Sequence, residues 1–183
     1  MIRALLKIAE IEQALQEILS QLEELQSASP PLDPTELVER ERRWKQLTDR
    51  LQSLSLALQL QRALASEEMR KKELDLAQAG SKKLKNFGWR PVTIRFLGGA
   101  EISLVARYFA RSEARVTKGK GAYCGLILLG VHDRCSPALA SEVAKLAAAM
   151  NSLEDARGHL KEMGVKLSVK QIATIAYHFS RRA

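Results

Sequence analysis

The residues with the most to offer chemically lie at the C-terminal end of the chain. Lys170, Gln171, Thr174, His178, Arg181 and Arg182 are spaced so that they fall along the outer side of a helix opening after Ser168. The Gln171 amide suits an adenine edge and the Lys170 ammonium suits guanine. Thr174 and His178 continue the same face. Arg181 and Arg182 suit phosphate oxygens, which add affinity without sequence information. Upstream, Lys118 and Lys120 fall in the stretch Ala110–Gly121 with Arg111 and Arg115, read as a mobile basic loop able to touch a nucleic-acid backbone. These are the candidate DNA-binding residues.

Other constellations promise less. Gly119-Lys120-Gly121 lacks the GxxxxGK[ST] spacing of a phosphate loop and the strand-to-helix passage that would hold one. Cys124, His132 and Cys135 want a fourth ligand and contain no CxxC pair, so small buried cysteines are the expectation rather than zinc. His132-Asp133 beside Cys135 has nothing in sequence to orient a nucleophile and its base. His159 reads as a surface residue of its helix. The seven acids beyond Gly80 offer no pair at the ends of neighbouring strands, as a two-metal nuclease centre would need. The chain is therefore expected not to be an enzyme and to need no cofactor, metal or small-molecule substrate.

The elements that must position the basic face are legible around it. Ser168-x-x-Gln171 is a capping box, and Val169, Ile172, Ala173, Ala176 and Phe179 form the apolar stripe of the helix behind it. Ser152-x-x-Asp155 opens the preceding helix, with Leu153, Ala156, Leu160 and Met163 inward and Gly164 as its left-handed cap. Ser136-Pro137 starts an alanine-rich helix to Met150 in the favoured cap-then-proline order. Helix, tight turn and helix with a basic outer face match a helix-turn-helix, and the third helix completes a trihelical core over 136–183. An ordinary helical hairpin with a solvated charged face is the plainer alternative.

Residues 80–135 read as a basic linker with a β-hairpin and loop. The linker is Ser81–Asn86, and Val92, Ile94 and Phe96 alternate with Thr93 and Arg95. Gly98-Gly99 supplies the turn, and Ile102, Leu104, Ala106 and Tyr108 return. Gly125–Val131 is apolar, and pattern alone leaves strand and helix open.

Residues 1–79 read as a coiled-coil helical arm. Ile8, Ile11, Leu15, Ile18, Leu22 and Leu25 alternate in steps of three and four. Three prolines in Ser27–Pro34 break the helix, and Asp33 caps the next, with Pro34 in its first turn. There Leu37, Trp44, Leu51 and Leu58 recur at sevenfold spacing with Leu47 and Leu54 between them. Beyond Leu58 the seam weakens, because Leu60, Leu64 and Met69 sit off register and Gln61 takes a core position. The two helices either fold back on each other or pair with another chain, and self-association into a homo-oligomer is the expectation.

Charge separates the two regions. Residues 1–79 carry 11 basic and 14 acidic side chains, while residues 80–183 carry 18 and 7, and all ten glycines. The total of 183 residues at a net +8 allows one compact domain, or a small one with an appendage. No apolar run is long enough to span a bilayer, and the acidic residues near the N-terminus argue against a signal peptide. Two cysteines make no disulfide framework, which favours a reducing cytoplasm. The fold class expected is mainly α: coiled-coil hairpin, small β-hairpin, and a C-terminal trihelical helix-turn-helix module.

Over residues 90–183 the chain resembles the upstream region of bacterial insertion-sequence transposases of the Kra-type group. The likeness is carried by the basic segment, the Leu129–Arg134 phrase LGVHDR, the SPALASEV helix start at Ser136–Val143, and the GVKLSVKQI turn at Gly164–Ile172. It implies that the terminal helix pair recognises the ends of a mobile element. The catalysis of that family belongs to a ribonuclease-H-like domain with three metal-binding carboxylates, expected beyond Ala183, so the resemblance carries no catalytic residue onto this chain. Two classes of function follow. One is a DNA-binding, oligomerising region of a transposase, or a stand-alone regulator derived from one, reading double-stranded DNA. The other is a structural or protein-interaction module centred on the coiled coil. A nonspecific RNA binder is a third reading.

Overall fold

The computed structural model describes residues 2–31, 33–79, 83–111 and 121–181. Lys118, Lys120 and Arg182, together with the boundary at Gly80, lie outside those residues. Among the described residues the chain is mainly helical, with seven helices and one two-stranded antiparallel sheet.

Helices α1 (Ile2–Ser27) and α2 (Pro34–Ala65) pack side by side within the chain. The loop between them ends on Asp33, whose Oδ1 accepts from the Thr35 and Glu36 N–H groups at 2.7 and 3.0 Å. This cap and Pro34 satisfy the first turn of α2. Ile11 and Ile18 are the deeply buried rungs of α1, while Ile8, Leu15, Leu22 and Leu25 are half-covered. On α2 the deep row is Leu47, Leu54 and Gln61, and Leu37 is 46% exposed. The depth sits on that row because α2 must cover both α1 and the sheet.

Gln61 is fully buried and takes the place of a strand. Its Nε2 donates to the Val105 carbonyl at 3.0 Å and its Oε1 accepts from the Val105 N–H at 2.8 Å. A polar residue in the seam is thus fully satisfied against backbone that an edge strand would leave unpaired.

Helix α2 ends where Ser66 turns extended (ψ 151°) and its hydroxyl accepts from the Met69 N–H at 3.1 Å. Helix α3 (Glu67–Ala79) follows, burying Met69, Glu73 and Ala77 on one face. Strands β1 (Lys85–Arg95) and β2 (Glu101–Ala110) pair with Val92 opposite Leu104 and Ile94 opposite Ile102. Strand β1 therefore begins inside the stretch expected to be linker. It is able to do so because a bulge between Asn86 and Trp89, at Gly88, absorbs the irregular sequence.

An isolated two-stranded sheet is barely stable in water. Here Val92, Ile94, Phe96, Leu104 and Ala106 join Ile11, Ile18, Leu47, Leu54, Ala57 and Leu64 in one apolar core. Leu126 and Val131 close its far side. The open question at Gly125–Val131 resolves as a short helix, α4 (Cys124–Leu128), followed by a turn.

Helices α5 (Pro137–Ala149), α6 (Leu153–Glu162) and α7 (Val169–Ser180) enclose a second core of Leu139, Val143, Leu146, Ala156, Leu160, Val165, Leu167, Ile172 and Ile175. All three begin on a serine whose hydroxyl accepts a backbone N–H three residues on. On α7 the inward pair is Ile172 and Ile175, whereas Ala173 is exposed, a correction to the expected stripe. Ile175, three residues after Ile172 and so on the same side of the helix, is buried in place of Ala173. The hairpin tip fixes this unit: a side chain at Gly99 (φ +85°) would overlap the Gly164 carbonyl in the α6–α7 turn.

Candidate nucleic-acid interface

The outer face of α7 is built from its cap outward. Ser168 Oγ accepts from the Gln171 N–H at 3.3 Å, and Gln171 Oε1 accepts from the Ser168 N–H at 2.9 Å. The carbonyl end of the Gln171 amide is thereby engaged by the cap. Nε2 remains to donate, so the direct match is to a base acceptor such as N7 or O6, and a two-bond contact to adenine would open the box. Lys170 and Gln171 are both exposed. Thr174 is exposed and donates to the Lys170 carbonyl at 2.8 Å, which leaves its lone pairs outward. Arg181 lies over the Tyr177 ring at 5.6 Å and donates to its hydroxyl at 3.2 Å. Tyr177, 57% exposed, thus sits beside a cation at the end of the helix.

His178 has a different position. Its Nδ1 is 2.8 Å from Asp133 Oδ2, a bond that ties α7 to the loop before α5. Asp133 and Arg134 form a two-residue turn closed by the Cys135 N–H on the His132 carbonyl at 2.8 Å. Both have positive φ, 51° and 61°, the pattern of a type I′ turn without glycine. Left-handed backbone costs a side-chain-bearing residue about 1–2 kcal/mol, less for Asp than for Arg. The turn is held in place from outside: the Arg95 N–H donates to the Arg134 carbonyl at 2.8 Å and the Ser136 N–H to the Arg95 carbonyl at 2.9 Å.

Between this turn and α7 runs an open groove of about 330 Å³, lined by Arg95, Asp133, Arg134, Ser168, Lys170, Gln171, Thr174 and Ile175. Lys170, Gln171 and Thr174 are thus brought together, and Arg134 is added to them. Arg95 contributes less charge, since Glu101 Oε1 lies 2.6 Å from its Nε. On the other side of Ser168 a shallow groove carries Arg157, Lys161 and Lys166 with Glu154. These cations on α6 and its turn reach the α7 cap at Ser168, and the i, i+4 spacing of Arg157 and Lys161 is the signal in sequence that could have found them. Arg134 gives no such signal, because left-handed backbone at a non-glycine residue has no local marker.

Beneath the turn, Cys135 is fully buried, and burial pushes its thiol up to about 11, against the opposing pull of Arg95 and with a smaller push from Asp133. At neutral pH burial holds it as the thiol. Cys124 is likewise buried and raised by burial, then by Glu73. Among the described residues no three His, Cys, Asp or Glu side chains converge as a metal set, and no helix is long and apolar enough to cross a membrane.

The fold and this groove define a mainly α protein with a helical arm, a β-hairpin and a cationic three-helix unit. No family model, curated protein or solved structure matches the chain.

Proposed function

We propose that the chain is the DNA-binding and oligomerising region of a transposase-like protein, with α7 laid in the major groove of duplex DNA and the ends of a mobile element as its target. The observation that carries this reading is the exposed, cationic and polar face of α7, with Lys170, Gln171 and Thr174 all on the groove wall. The phrase LGVHDR and the GVKLSVKQI turn, on which the likeness to Kra-type transposases rests, contribute to this same groove. In this reading Lys170 and the Gln171 amide N–H read base edges. Arg181, Arg157, Lys161 and Lys166 take phosphates. Catalysis is assigned to no residue of this chain.

The arm joins copies. Ile2, Leu5 and Leu6 at the start of α1 are 75%, 55% and 60% exposed and share one face of the helix, a surface suited to a second copy. The same patch favours the alternative, a protein-interaction module. Fluorescence anisotropy on duplex DNA, with oligomeric state followed by light scattering, separates the two. Leu5→Glu with Leu6→Glu is expected to abolish self-association and leave duplex binding by each chain in place. Absence of duplex binding by the unmodified chain at low salt refutes the DNA reading.

A further inference from the structure

We infer that Arg134 is a second DNA-contacting element, holding a backbone phosphate of the strand that lies between its turn and α7, and that His178 positions it; this rests on the DNA reading above. Arg134 is exposed at the tip of the His132–Cys135 turn and faces Lys170 across the groove. Its side chain has no hydrogen bond or ion pair to the described residues. A planar guanidinium with free N–H groups is the side chain best suited to a phosphodiester.

Two features show that the turn is kept for the direction it imposes rather than for its own comfort. Arginine occupies a left-handed position where glycine would sit without strain. The strained backbone is nevertheless closed by the Cys135 N–H on the His132 carbonyl and held on its C-terminal side by two hydrogen bonds to the Arg95 backbone. Strain held this firmly beside an open cationic groove is characteristic of functional positions. The neighbouring Asp133 carboxylate would repel a phosphate at the same place. His178 bears on both: it engages Asp133 Oδ2 at 2.8 Å, which gives the carboxylate a partner on the groove wall and anchors the turn to α7. His178 is thus a positioning residue, and the DNA strand is straddled by α7 on one side and Arg134 on the other.

The test uses the full chain, a fluorescein-labelled mixed-sequence duplex, anisotropy over a range of salt, and thermal unfolding. Arg134→Gly relieves the backbone while removing the guanidinium. It is expected to bind roughly tenfold more weakly, with a log–log salt slope shallower by about 0.9. Its unfolding midpoint is expected to equal or exceed that of the unmodified chain. His178→Ala is expected to weaken binding in the unmodified background and to add nothing in the Arg134→Gly background. Unchanged affinity for Arg134→Gly, or equal His178→Ala losses in both backgrounds, overturns the inference while the DNA reading stands. A lowered midpoint for Arg134→Gly overturns the claim of a strained turn. If the unmodified chain binds no duplex at low salt, the DNA reading itself fails, and this inference with it.

Discussion

Glu73 on α3 is wholly buried and paired with Arg107 on β2, whose guanidinium also reaches the Leu64 carbonyl at 3.4 Å and lies 4.5 Å from the centre of the Trp89 ring. The other carboxylate oxygen, Oε1, has no hydrogen-bond partner among the described residues. A side chain on Gly125 would overlap that oxygen, so the start of α4 sits directly on the carboxylate. One ion pair thus joins the third arm helix, the hairpin and α4.

Burial raises Glu73 above the ordinary carboxylate range, and Arg107 with the nearby Gly125 N–H pulls it back only in part. The folded state therefore holds this proton more tightly than the unfolded chain. The associated stability is fully present below the unfolded value near 4.5 and is lost as pH rises through the folded one. Urea unfolding of the unmodified chain and of Glu73→Gln over this range is the check. The stability of the unmodified chain relative to the variant is expected to fall as pH rises. A relative gain with pH would mean that Arg107 dominates over burial. Arg107→Ala, which strands the carboxylate, is expected to cost about 3–5 kcal/mol at neutral pH.

Two glycines are expected to respond to alanine in opposite directions. Gly158 lies within α6 with nothing near an added Cβ, so Gly158→Ala is expected to stabilise by about 0.5–1 kcal/mol. Gly99 combines φ +85° with backbone contact to Gly164, and Gly99→Ala is expected to destabilise by about 2 kcal/mol or more. Denaturant midpoints measure both. A neutral Gly99→Ala would show that the hairpin tip does not seat on the α6–α7 turn.

Both cysteines are buried with raised thiol values, Cys135 to about 11. Neither is expected to react with a thiol-specific reagent at pH 8 in the native protein, and both are expected to react in denaturant. Rapid native labelling of Cys135 would contradict the packing of the turn over it.

Helix starts were the most legible part of the sequence, because a cap is a local contract between a few residues. Asp33-Pro34, Ser136-Pro137, Ser152 and Ser168-x-x-Gln171 all lie where their side chains accept the first free N–H groups. The heptads of α1 and the Gly98-Gly99 turn were readable for the same reason. The end of α2 was not, since no proline or glycine marks it and the chain turns only on the extended backbone of Ser66, whose hydroxyl accepts the Met69 N–H. Gln61 looked like a flaw in the seam, and only the edge of β2, 44 residues away, makes it a partner. At the candidate interface Lys170, Gln171 and Thr174 followed from helical periodicity. The Asp133–His178 bond spans 45 residues and the left-handed Arg134 has no compositional marker, so both required the fold.

If α7 reads duplex DNA as proposed, a binding selection by the full chain from a pool of random duplexes is expected to return an enriched motif, altered when Lys170→Ala and Gln171→Ala are introduced together. A pool that stays flat, or a motif that survives both substitutions unchanged, contradicts the proposal.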